Sequence, residues 1–165
     1  MPVIGLGSVA SKPDEDALKF VVLEAIKPGY KHFNTALIYR NEKALGEAIA
    51  EAFRIGLVSS REGTHHHFQA LTLIDLSLLE MNVYRSIKLE YLVLYLIHWP
   101  ISAKLEDVEV LKPKTNLIPM DYKGVWEAME ECQRLDLTKS IGFSNFSSKK
   151  LETMLSIATI PPSIN

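Results

Sequence analysis

Apolar and polar positions alternate along this chain between two kinds of pattern. Pro2–Leu6 is a short apolar stretch stopped by Gly7 and Ser8, which predicts a strand. Over Asp14–Lys27, Ala17, Leu18, Val21, Val22, Ala25 and Ile26 share one face of an amphipathic helix, and Pro28-Gly29 closes it. Tyr30–Phe33 predicts a second strand, halted by the polar Asn34-Thr35. Glu42–Arg54 then repeats the helical spacing with Ala44, Leu45, Ala48, Ile49, Ala52 and Phe53, and Gly56 ends it. Helices with one apolar stripe, interleaved with short strands, predict βαβ units and a parallel sheet.

Farther along the pattern is uneven. A third strand belongs within Ser59–Thr72, but Gly63-Thr64-His65-His66-His67 is poor strand material and reads as an exposed loop. Consecutive side chains of an extended segment point to opposite faces, so this histidine run is not expected to ligate a metal. Ile74–Ile87 has the apolar positions of a third helix. Tyr91–Ile97 carries neither charge nor alternation, as expected of a parallel strand buried on both faces. Ile101–Met120 reads as a long loop and Asp121–Cys132 as a helix with Val125, Trp126 and Met129 on one face. Lys139–Phe143 predicts another strand, and Ser147 the N-cap of a helix reaching about Ser156.

Composition narrows the function classes. With 18 Lys and Arg against 20 Asp and Glu, the net charge of −2 argues against a nucleic-acid binder. At 47% hydrophobic there is ample material for a core. The 165 residues suit one domain and fall short of a complete (β/α)8 barrel, which takes roughly 250. Cys132 is the only cysteine, so no intrachain disulfide forms. The opening residues lack the form of a signal peptide, and the longest apolar run, Tyr91–Ile97, is too short for a membrane span. These features predict a cytoplasmic protein without a membrane partner.

In parallel α/β barrels, reactive side chains gather at the C-terminal strand ends. Here those ends offer Asn34 with Tyr39 beyond it, then His98-Trp99-Pro100, then Ser144-Asn145. Each also has a structural reading: a packed tyrosine, a hydrogen-bonded histidine, a capped helix start. Their joint occurrence on one predicted rim is what singles them out.

Four blocks of sequence are familiar: Gly29–Ala36 with Tyr39, Leu89–Pro100, Asp121–Cys132 and Lys139–Phe146. In this order they resemble the aldo-keto reductases, above all the plant branch with chalcone (polyketide) reductases and codeinone reductase. The resemblance covers nearly the whole chain except about Gly63–Lys88. It implies a partial (β/α)8 TIM barrel of about the first five β/α units, one incomplete domain over residues 1–165. It further implies metal-free, NADPH-dependent reduction of a small-molecule ketone or aldehyde to an alcohol. Residue by residue, Tyr39 matches the proton donor, His98 the histidine that orients the carbonyl, and Trp99 a pocket residue. Ser144 and Asn145 match the pair that binds the nicotinamide amide.

Two positions depart from the family. Asn34 stands where it has the aspartate that holds a lysine ammonium beside the tyrosine. That lysine would close the third strand, yet none occurs between Arg61 and Lys88. The family's later strands, with most cofactor contacts, correspond to nothing in these 165 residues. The expectation is therefore a truncated reductase with impaired turnover and weak NADPH binding, self-associating through an open barrel edge. The alternatives are an inactive fragment serving as a binding module and a decaying gene product.

Overall fold

A computed structural model describes residues 4–9, 14–36, 39–58, 65–73, 92–103 and 117–165. In chain order the elements are β1 (Leu6–Gly7), α1 (Glu15–Ile26), β2 (His32–Ala36), α2 (Glu42–Arg54), β3 (His65–Leu73), β4 (Leu94–Ala103), β5 (Leu117–Ile118), α3 (Tyr122–Arg134), β6 (Ile141–Phe143) and α4 (Ser148–Ile157). Strands β1, β2, β3 and β4 pair in parallel in that order. Beyond them β4 takes β6 in parallel along Tyr95–Ile97 and the short β5 antiparallel at Ser102–Ala103. Among the described residues this sheet does not close on itself, so the fold is an open part of a β/α barrel.

The helices begin and end for local reasons. Asp14 and Asp121 cap α1 and α3, accepting from the backbone N–H groups of Ala17 and Gly124. All three longer helices finish in the same paired-bond cap. After α2, Gly56 at φ +75° donates to the Phe53 carbonyl and Leu57 to that of Ala52. Gly29 and Tyr30 do this for α1, and Asp136 with Leu137 for α3. The predicted stops at Gly29 and Gly56 are thus chemical ones. At α4, Ser147 occupies the N-cap position but its hydroxyl makes no cap bond.

Two apolar clusters hold the sheet. Val22 and Ile26 of α1 meet Leu45, Ala48, Ile49 and Ala52 of α2 over Phe33 of β2. Of the six stripe positions predicted on α1, Ala17 and Val21 face solvent, so its buried face is narrower than its spacing implied. The second cluster joins Leu92, Tyr95 and Ile97 to Trp126 and Met129 of α3, Ile141 and Phe143 of β6, Phe146, and Met154 of α4. Trp126 and Phe143 have ring centroids 4.5 Å apart, as do Phe143 and Phe146.

Several sequence expectations need correction. β2 is not halted by Asn34-Thr35 but runs through them to Ala36, and β5 falls within the predicted loop Ile101–Met120. His65, His66 and His67 lie in a strand and not in a loop, because β2 and β4 supply ladder partners on both sides of β3. Pairing of that kind overrides a weak local propensity. β4 starts at Leu94 and runs through His98-Trp99-Pro100 to Ala103, past the predicted end at Ile97. β6 is shorter than predicted and starts at Ile141. The proposed helix over Ile74–Ile87 lies outside the described residues. After α4 the chain returns beside β6: Ser163 donates to the Ile141 carbonyl and Phe143 to that of Ile164. A Cβ on Gly142 would come within 2.6 Å of the Ile164 oxygen, so only glycine admits this approach.

Candidate active site

β4 itself shapes the site. Ile97 pairs with Ala70 of β3, and the next paired residues are Ser102 with Thr72. β4 thus spends five positions where β3 spends two. The surplus residues bulge from the ladder, and they include His98, Trp99 and Pro100. Bulges re-aim side chains and terminate regular pairing. His98 is consequently buried within the bulge, while Trp99 beside it is 46% exposed.

Tyr39 approaches His98 from the β2 side. Their ring centroids are 5.8 Å apart with planes at 90°, an edge-on contact. His98 and Trp99 lie 6.1 Å apart with planes tilted by 36°. Arg40, next to the tyrosine, has φ +52°. A left-handed backbone costs a residue with a Cβ on the order of 1–2 kcal/mol, so the surroundings must enforce it. β6 closes the other flank. The Ser144 N–H donates to the Ile97 carbonyl at 2.8 Å. Asn145, also left-handed at φ +62°, donates through Nδ2 to the His98 carbonyl at 2.8 Å and to Ser144 Oγ at 3.1 Å.

Burial sets the electrostatics. Desolvation raises the Tyr39 phenol above its ordinary value of 10.0 and lowers the His98 imidazole below 6.5. At neutral pH both rings are therefore uncharged. His98 Nδ1 is buried without a hydrogen-bond partner among the described residues. A buried N–H with no acceptor costs about 1–3 kcal/mol, so the favoured tautomer keeps its proton on Nε2.

The expected residues are thus not equally close to one another. Tyr39, His98, Trp99, Ser144 and Asn145 form one connected group. Asn34 sits lower on β2, opposite Gly7 and His67, and its carbonyl accepts from the Ser8 N–H at 2.9 Å. No residue of β3 is a lysine.

Several polar residues that shape the site escaped sequence reasoning. Glu42, at the start of α2, is buried with no partner for Oε1 among the described residues, and desolvation raises its carboxyl above 4.5. Glu130 of α3 accepts from the Thr159 and Ile160 N–H groups at 2.7 and 2.8 Å. Asn165 accepts from the Phe146 N–H and donates to its carbonyl, both at 3.1 Å, steadying the turn after Asn145. A glutamate inside a helix's apolar stripe, as Glu130 is beside Met129, was the one signal that could have exposed any of them.

The Ser144–Asn145 pair has the chemistry of an amide site. With Asn145 Nδ2 committed to His98 and Ser144, Asn145 Oδ1 remains an acceptor and the Ser144 O–H a donor. One donor beside one acceptor is what a carboxamide such as that of nicotinamide requires.

The model of the Aldo/keto reductase family matches residues 3–165, and the chain belongs to that family. It is 47% identical to NADPH-dependent codeinone reductase 1-2 of Papaver somniferum, covering all of this chain and 53% of that protein. It is 44% identical to NAD(P)H-dependent 6'-deoxychalcone synthase of Glycine max, again over all of this chain and 53% of the relative. The chain therefore spans about half the length of the curated relatives it matches. Among solved structures, aldose reductase from Schistosoma japonicum superposes with a TM-score of 0.90 at 30% identity, over 100% of this chain and 57% of that one. A Bombyx mori aldo-keto reductase in complex with NADP gives 0.85 at 31% identity, over 100% and 53%.

Proposed function

We propose that the chain reduces a small-molecule ketone or aldehyde to an alcohol with NADPH, at a rate well below that of a family member carrying the aspartate and lysine beside the tyrosine. The observation that carries this reading is the edge-on approach of the Tyr39 phenol to a buried, neutral His98 at the strand ends. The nicotinamide, when bound, supplies the hydride, and its amide would be held by Ser144 and Asn145. The chain's own residues handle the substrate oxygen. His98, with its proton on Nε2, donates a hydrogen bond that orients and polarises the carbonyl. Tyr39 gives its Oη proton to that oxygen as negative charge develops there. Trp99 lines the pocket on the solvent side.

Low efficiency follows from the same surroundings. A phenol whose ionisation is pushed up by burial is a poor acid, and a lysine ammonium beside it would pull it down. β3 holds no lysine, and Asn34 has no charge with which to fix one. The penalty is unequal in the two directions. Reduction uses the neutral phenol, which is fully populated at pH 7, whereas alcohol oxidation needs the phenolate, which is scarce there. We also propose that the exposed apolar positions of α1, Phe20 and Val21, promote self-association of this open sheet. A catalytically inactive binding module remains the competing reading, favoured by Asn34 and the lysine-free β3.

The test is carbonyl-dependent NADPH oxidation with a panel of ketones and aldehydes, together with the reverse reaction. Slow reduction abolished by Tyr39→Phe, with oxidation weaker still at pH 7, is the expected outcome. Turnover indifferent to Tyr39→Phe overturns the assignment, and no turnover with any carbonyl favours the binding module.

A further inference from the structure

We propose that Asn41 is the positioning residue for Tyr39, locking the chain two residues beyond the phenol to the ends of β1 and β2. The inference rests on the reading of Tyr39 as proton donor only for its functional meaning, since the geometry stands apart from turnover. Asn41 precedes α2 at the N-cap position, where an asparagine normally accepts from the first turn of the helix. Its side chain makes no such bond. It is 7% exposed and turns inward. Nδ2 donates to the Ser8 carbonyl at 2.7 Å, while Oδ1 accepts from Thr35 Oγ1 at 2.8 Å and from Ser8 Oγ at 3.3 Å. Ser8 follows β1, Thr35 lies in β2 and Asn41 opens α2, so one amide gathers three elements. A buried polar network with its members satisfied specifies a single arrangement.

A second, independent observation is the backbone of Arg40. Its φ of +52° is a conformation that a residue with a side chain adopts only when its neighbours impose it. The fixed point on its C-terminal side is Asn41, and the group presented on its N-terminal side is Tyr39, held edge-on to His98. An amide that gives up helix capping to pin the base of this turn fixes where the phenol goes.

The experiment is 19F NMR of the full chain labelled with 3-fluorotyrosine, with the Tyr39 signal assigned from its loss in Tyr39→Phe. In the parent protein that signal is displaced by the His98 ring and titrates above free 3-fluorotyrosine. In Asn41→Leu it is expected to lose the displacement and titrate lower, towards free 3-fluorotyrosine. The signal of Tyr95, buried in the second core cluster, should stay in place and so report an intact fold. An unmoved Tyr39 signal in folded Asn41→Leu overturns the proposal. If that variant does not fold, Thr35→Val, which removes one bond of the network, must shift Tyr39 in the same direction, and absence of any shift is equally fatal. A Tyr39→Phe variant that keeps its turnover sinks the proton-donor reading while leaving these spectra untouched.

Discussion

The two core clusters fix their strand ends by different means. On the β1–β2 side the packing is mostly aliphatic, with Phe33 as its only fully buried aromatic, and the strand ends are joined by the buried Asn41 amide. On the β4–β6 side the rings of Trp126, Phe143 and Phe146 stack behind the strand ends. Polar clamps from Glu130 and Asn165 there act on backbone and hold the returning chain. Tyr39 is carried by the first region and His98 with Asn145 by the second. The Tyr39–His98 contact is where the two meet. The difference teaches that the phenol is set by a few directional bonds, and the histidine by volume and packing.

That contrast breaks most visibly in the aromatic cluster. Phe143→Ala should cost about 3–5 kcal/mol in denaturant unfolding, because a rigid ring stack collapses poorly around the void. The His98 signals should shift with it, since β6 pairs directly with β4. Ile49→Val in the aliphatic cluster should cost only about 0.5–1.5 kcal/mol and leave the Tyr39 environment in place. Equal costs for the two changes, or a displaced Tyr39 in the second, would erase the distinction drawn between the regions.

Much of the first region was legible because its signals are local. The α2 stripe and the glycine stops each act within a few residues, and five of the six stripe positions predicted on α2 are buried. β4 was legible as a buried strand, but its extension through Pro100 was not, since the bulge is defined only by its register against β3. The third strand was expected within Ser59–Thr72, but its histidines were misread as a loop for the same reason: the two neighbouring strands bring them into the ladder. Tyr39, His98, Ser144 and Asn145 were singled out through familiar blocks. Asn41 was passed over because an asparagine before a helix looks like a cap, and nothing in sequence tells which way its amide turns.

Two smaller effects sharpen the picture at the α2 entrance and at the strand end. Glu42→Gln should stabilise the protein by about 1 kcal/mol at neutral pH, since desolvation of the buried charge outweighs the backbone N–H groups of Asn41 and Glu42 that support it. Because burial raises the folded carboxyl above 4.5, Glu42 binds its proton more tightly when folded. The charge penalty therefore appears as pH rises through that shifted value, and the gain from Gln should vanish in acid. His98 behaves oppositely. Its folded value is depressed, so its contribution to stability is complete above 6.5 and lost as pH falls from there through the folded value. The difference in Tm between pH 7.5 and pH 5.5 should therefore be smaller in His98→Gln than in the parent.

The central claim is that Tyr39 and His98 act on one carbonyl oxygen as a unit. A double-mutant cycle on the rate of carbonyl reduction tests it, read as deuterium transferred from labelled NADPH into the alcohol so that slow turnover is measurable. Tyr39→Phe and His98→Gln are each predicted to lower the rate by about 10²-fold or more, with the double variant scarcely worse than the more damaging single change. Full activity in Tyr39→Phe, or losses that multiply as if the two side chains were independent, would contradict the account.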